Sequence, residues 1–158
     1  MSLEIERRFL LKNDNWKEFI TKKIYIEQGY LSKSLDNWIS RIRFTGKEFK
    51  IALKKHINGF TNFEFEYSIP QSDGEIIMSN LSNIIKKERF FLEVEKKSWI
   101  IDCFKEKNYP LEIAEIELSR EDEDLSLPSF ISKEITGMTQ YSNFSLTKKP
   151  FSKWNIDF

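Results

Sequence analysis

Several things are scarce in this chain of 158 residues, and each scarcity excludes something. A single cysteine, Cys103, rules out a disulfide within the chain. Four prolines, Pro70, Pro110, Pro128 and Pro150, fall at apparent element ends and leave the first 69 residues free of proline, as paired strands require. Net charge is missing too. Lys plus Arg and Asp plus Glu number 25 each, so net attraction gives no reason to expect a nucleic-acid or membrane-surface partner. No apolar run approaches the roughly 20 residues of a spanning helix. The opening "MSLEIERRF" has no stretch resembling a signal peptide, which leads us to expect a soluble, cytoplasmic protein. Low-complexity segments, fixed-period repeats and Pro/Gly/Ser linkers are also lacking, so the expectation is one domain over 1–158, burying about two thirds of its unfolded surface.

What the chain has in abundance is charge at period two. Glu4, Glu6 and Arg8 alternate with Ile5 and Phe9; Arg41 and Arg43 flank Ile42; Lys54 follows Ile51 and Leu53. Glu64 and Glu66 alternate with Phe63, Phe65 and Tyr67, Lys87 and Arg89 precede Phe90, Asp102 sits between Ile101 and Cys103, and Glu115 and Glu117 alternate with Ala114, Ile116 and Leu118. A strand sends residues i and i+2 to one face. Such segments predict eight strands, near 3–11, 24–32, 37–45, 48–56, 60–69, 87–95, 97–104 and 112–119. Helical spacing is read in "DNWKEFITKK" and "SDGEIIMSNLSNIIKK", and in the later "LPSFISKEI" and "MTQYSNFSLTKK".

An open sheet with one wet face explains any one of these strands. It explains the set less well, because a wet face mixes Thr, Ser, Gln and Lys, whereas here the strands carry doublets of one charge sign, and like charges side by side repel. Paired carboxylates become favourable around a divalent cation, and clustered Arg and Lys around a shared polyanion. Eight strands can close into a barrel. The expected fold is therefore α+β, mainly β: an eight-stranded antiparallel closed barrel, a tunnel with a charged interior and helices packed outside.

At these residues the chain resembles the CYTH, or triphosphate tunnel metalloenzyme, superfamily. "EIERRFLL" is similar to its N-terminal ExExK motif with Arg8 in place of lysine, and "EQGYL", "SRIRFTG", "IALKK", "FEFEYSIP", "KKERFFL", "WIIDCF", "AEIEL" and "KEITGMTQYSNFSL" follow in order, like blocks of the short bacterial members. The resemblance covers nearly the whole chain. It implies a phosphohydrolase acting on inorganic triphosphate or a small organic triphosphate. Glu4, Glu6, Glu115, Glu117 and Asp102 would serve Mg²⁺ or Mn²⁺, hard ions that prefer oxygen. Arg8, Arg41, Arg43, Lys54, Lys87 and Arg89 would cradle phosphate, and Arg8, Glu64 and Glu66 would act in catalysis. The implied partner is a triphosphate-containing small molecule, with neither nucleic acid nor membrane; a homodimer is compatible with this reading. A non-catalytic polyphosphate binder is the alternative, and a class IV-like adenylyl cyclase a minor one.

Three positions depart from the family pattern: Arg8 itself, Asn62 and Gln140, the last two standing where arginine is common, with Lys50 placed to compensate. His56 reads as a surface or turn residue, Cys103 as a small core hydrophobe and "EDEDLS" as a solvated loop. Trp38 and Trp99 are expected beneath helices. The tail with Trp154 is open to three roles: packing on the barrel, meeting a partner or closing a tunnel mouth.

Overall fold

Alternating side chains build nine strands and two helices in a computed structural model that describes residues 2–156. In chain order these are β1 (Leu3–Leu11), β2 (Ile20–Lys33), β3 (Ile39–Phe44), β4 (Phe49–Asn58), β5 (Thr61–Ile69), α1 (Gln71–Ser79), β6 (Ile85–Val94), β7 (Lys97–Phe104), β8 (Glu112–Glu117), β9 (Ile131–Glu134) and α2 (Asn143–Lys148). Every pairing is antiparallel, and the ring β1–β5–β4–β3–β2–β6–β7–β8 returns to β1. Closure rests on β1, which pairs residues 6–10 with β8 along one edge and residues 3–5 with β5 along the other. Past Ile5 that second edge passes to β9, with Phe9 opposite Glu134 and Leu11 opposite Ile131. The expected eight-stranded barrel is present, with β9 as a ninth strand at its flank.

Two tight hairpins set registers. Asn58 opposite Thr61 leaves Gly59 and Phe60 as a two-residue loop, with Gly59 at φ 50°. Val94 opposite Lys97 leaves Glu95 and Lys96, both left-handed at φ 49° and 65°.

The helical expectations fare less well than the strands. Of "DNWKEFITKK" only Asn15–Phe19 is helical, as a 3-10 turn, because residues 20–23 pair with β6 and lengthen β2. The second expected helix stops at Ser79, and its last residues, Ile85 to Lys87, open β6. "LPSFISKEI" forms β9 rather than a helix: the free edge of β1 offers backbone partners that helical spacing cannot reveal. The fourth segment divides into a 3-10 turn, Thr139–Tyr141, and α2, capped by the Ser142 side chain, which accepts from Ser145 N.

Outside the barrel, Phe9, Trp99, Ile101 and Ile116 are covered by Trp16 of the first 3-10 turn and by Leu118, Leu125 and Phe130 from the chain ahead of β9. Much of this cover is irregular chain, not helix. Trp99 is buried there, while Trp38 lies on the outer face against Phe63 and Phe65 of β5. A second cluster fills one end of the interior: Ile85, Phe104 and Ile113, with Leu10, meet Leu146 of α2, Tyr141, Phe151 and Trp154. Trp154 meets Tyr141 edge-on, its ring 5.0 Å away, and its Nε1 donates to Lys149 O, so the tail packs on its own barrel. No helix among the described residues is long and apolar enough to cross a membrane.

Candidate active site

Registers carry one row of side chains around the ring. Glu6 faces Glu117 and Arg8 faces Glu115 across β1 and β8; Glu4 faces Asn62; Lys54 faces Glu64. Arg41 and Arg43 lie opposite Ala52 and Lys50, and Arg89 lies opposite Asp102. Directly opposed residues share a face. All thirteen expected residues, Glu66 and Lys87 included, stand on that inner face, along with Gln28 and Tyr30, which had no expected role, and His56, which was expected at the surface or in a turn.

Their charges pair around four residues, Lys54, Arg41, Asp102 and Arg8. Lys54 Nζ lies 2.5 Å from Glu4 Oε1, 3.7 Å from Glu6 and 4.0 Å from Glu64. Arg41 Nη2 donates to Glu66 at 3.0 Å and Glu64 at 3.4 Å, with Lys50 3.5 Å from Glu66. Asp102, with no exposed surface, accepts from Arg89 Nε and Nη2 at 2.8 and 2.9 Å and from Lys87 Nζ at 2.8 Å. Arg8 Nε donates to Glu115 at 3.2 Å and Nη1 to the carbonyl of Tyr141 at 3.1 Å. Asn143 Oδ1, at the start of α2, accepts from Lys87.

Burial sharpens these interactions. It pushes Glu4 up to about 9, helped by a hydrogen bond to Glu64 and the charge of Glu6 and opposed by Lys54. Glu64 is brought down to about 2, because the Glu4 proton, Arg41 and Lys54 together outweigh burial. Glu64 Oε2 is buried with no hydrogen-bond donor among the described residues. Burial and Glu115 raise Glu6. Lys87 is pulled down to about 7 by burial, against Asp102 and with the help of Arg89 and Arg43. Asp102 is held far below the carboxylate range by Arg89 and Lys87, burial notwithstanding.

Carboxylates gather at one side of this interior. A cavity of about 470 Å³ is lined by Ser2, Leu3, Glu4, Glu64, Phe65, Glu66, Tyr67 and Glu117, where β5 runs on past its pairing with β1. Among the described residues, no three His, Cys, Asp or Glu side chains stand close enough to grip a metal as they lie.

Other residues fall outside this row. Cys103 lines an outer groove of about 210 Å³ with Trp16 and Phe104, its thiol pushed up to about 12 by burial. His56 is exposed, yet it faces inward at the rim, Nδ1 3.4 Å from Asn62 Oδ1, while Asn62 Nδ2 donates to Glu4 at 3.5 Å. Strand parity with Lys54 could have found it. The acidic run is more than a solvated loop. Glu121 accepts from Phe60 N and Thr61 Oγ1, and Glu123 from Lys97 and Ser119, tying two hairpin turns to the barrel.

No protein-family model matches the chain. An inorganic triphosphatase of Acetivibrio thermocellus is 31% identical over 156 residues, covering 98% of this chain and 99% of that one. A crystal structure of an inorganic triphosphatase superposes with a TM-score of 0.67 at 26% identity, covering 91% of this chain and 93% of that one. A Hippeastrum protein described as having a dominant triphosphatase activity shares the fold, with a TM-score of 0.57 at 15% identity over 76% of this chain and 80% of its own.

Proposed function

Because the chain belongs to the CYTH, or triphosphate tunnel, superfamily, we propose that it hydrolyses a phosphoanhydride bond of inorganic triphosphate or of a small organic triphosphate. The observation that carries this reading is the inner row itself: Arg8, Arg41, Arg43, Lys54, Lys87 and Arg89 converge on one interior beside a carboxylate-lined cavity. Arg8 Nη2 and Arg41 Nε are buried there without an acceptor, and phosphate oxygens would supply one.

An all-oxygen donor set fits a hard divalent ion. Three of its carboxylates already share one cation, the Lys54 ammonium, so side chains must regroup for an ion to bind. Glu4, Glu6, Glu115 and Glu117 would hold Mg²⁺ or Mn²⁺. Such an ion supplies charge to bound phosphate oxygens when present. The chain's own groups do the rest. Arg41, Arg43, Lys87 and Arg89 fix the phosphoryl chain and take up the charge that builds on its leaving oxygens. Glu64 and Glu66, held by Arg41, orient the attacking water, and Arg8 contacts the group being transferred. We place the enzyme in the cytoplasm, acting on a small molecule and not on nucleic acid. All of these residues come from one chain, so a homodimer is compatible but not required.

Arg8 favours a second reading, polyphosphate binding without turnover, since its guanidinium is already committed to Glu115 and the Tyr141 carbonyl. Phosphate release from tripolyphosphate with Mg²⁺ or Mn²⁺ separates the two. Hydrolysis well above a Glu4→Ala control supports catalysis, and binding with no release supports the second reading.

A further inference from the structure

Arg43 differs from the other cations of the tunnel. Arg8, Arg41, Lys54, Lys87 and Arg89 each stand within ion-pair distance of a carboxylate, whereas among the described residues Arg43 forms no such pair. Its partner is neutral. Gln28, directly opposite on β2, accepts from Arg43 Nε through Oε1 at 3.0 Å. Only 1% of Gln28 is exposed, and its Nε2 donates to the Tyr30 hydroxyl at 2.9 Å. The orientation of the amide follows from chemistry: a guanidinium can only donate, so the amide oxygen must face Arg43 and the amide nitrogen must turn to Tyr30.

A buried guanidinium without a counter-ion is unfavourable, and here burial, together with nearby Arg41 and Arg89, draws Arg43 down to about 10. A glutamate at position 28 would have relieved that. Glutamine anchors the guanidinium and leaves its charge uncancelled. We propose that Gln28 is a positioning residue for the polyanion: it aims Arg43 into the tunnel while keeping its charge free for a phosphoryl group, so residue 28 sets the affinity of the cradle. The proposal rests on the reading of the tunnel as a triphosphate site.

Gln28→Glu and Gln28→Met test it, with tripolyphosphate binding measured by calorimetry in EDTA and folding followed by thermal melting. Gln28→Glu should melt no lower than wild type yet bind about tenfold more weakly, because a new carboxylate neutralises Arg43. A residue with only a structural part would lose affinity and stability together. Gln28→Met, which leaves the charge but removes the anchor, should weaken binding roughly threefold or more. Wild-type affinity in Gln28→Glu, or a loss that merely follows a lower melting temperature, overturns the proposal. If Gln28→Glu does not fold, Gln28→Met carries the test, and binding within twofold of wild type overturns it. Wild type failing to bind tripolyphosphate would sink both the tunnel reading and this one; wild type binding, with both variants equal to it, would sink this one alone.

Discussion

Lys54 Nζ sits 2.5 Å from Glu4 Oε1, although the two residues stand on β4 and β1, strands separated by β5. The same ammonium reaches Glu6 and Glu64, so one cation is shared by three carboxylates. That is the electrostatic role a divalent ion would take over.

The pH dependence follows. Glu4 is raised from its ordinary 4.5 to about 9, so between those values the folded state holds a proton that the unfolded state has released. Its stabilising contribution is full below about 4.5 and is lost as pH rises through 9. Metal-free melting temperature should therefore fall from pH 6 to 9 more steeply in wild type than in Glu4→Gln. Mn²⁺ binding should release protons and tighten over the same range, and equal slopes in the two proteins would remove Glu4 from this linkage.

Asp102→Asn should destabilise the fold by about 3–5 kcal/mol, because the change leaves Lys87 buried without its anion and Arg89 with only Glu115, 3.9 Å away. The carboxylate is held below its ordinary 3.8, so its contribution is present above that pH and is lost as pH falls further. Urea unfolding of both proteins should show a gap that narrows below about pH 4.

Arg8→Lys should change turnover by less than about tenfold, roughly 1.4 kcal/mol, if a positive contact is all that is needed. A far larger gain in turnover than in affinity would mean that a compact ammonium aligns the attacking water. Arg8→Ala should weaken tripolyphosphate binding in calorimetry, and unchanged binding and turnover would place Arg8 outside the site.

Lys96→Gly should stabilise the protein by about 1 kcal/mol, because Glu95 and Lys96 occupy left-handed positions that suit Asn and Gly. Melting should shift up by roughly 2–4 °C, with phosphate release unaltered. A lower melting temperature would show that Lys96 makes contacts worth more than the backbone strain.

Much of the tunnel was legible in the chain because strand parity is a local property. Glu4, Glu6 and Arg8 share a face wherever β1 lies, as do Arg41 with Arg43 and Lys87 with Arg89. Sequence by itself thus determined which side chains travel together, and the mismatch of like charges on one face pointed to an enclosed interior. Only the tertiary structure decided their partners. Lys54 meets Glu4 because the ring closes through β5, a relation 50 residues apart that no periodicity encodes. β9 is a strand because β1 has a bare edge to pair, which outweighs the helical spacing of Ile131 and Ile135. Gln28 carries no charge, so nothing in its chemistry marked it among the ionic doublets. Its importance arises from standing opposite Arg43, the one guanidinium that the fold leaves without a carboxylate among the described residues.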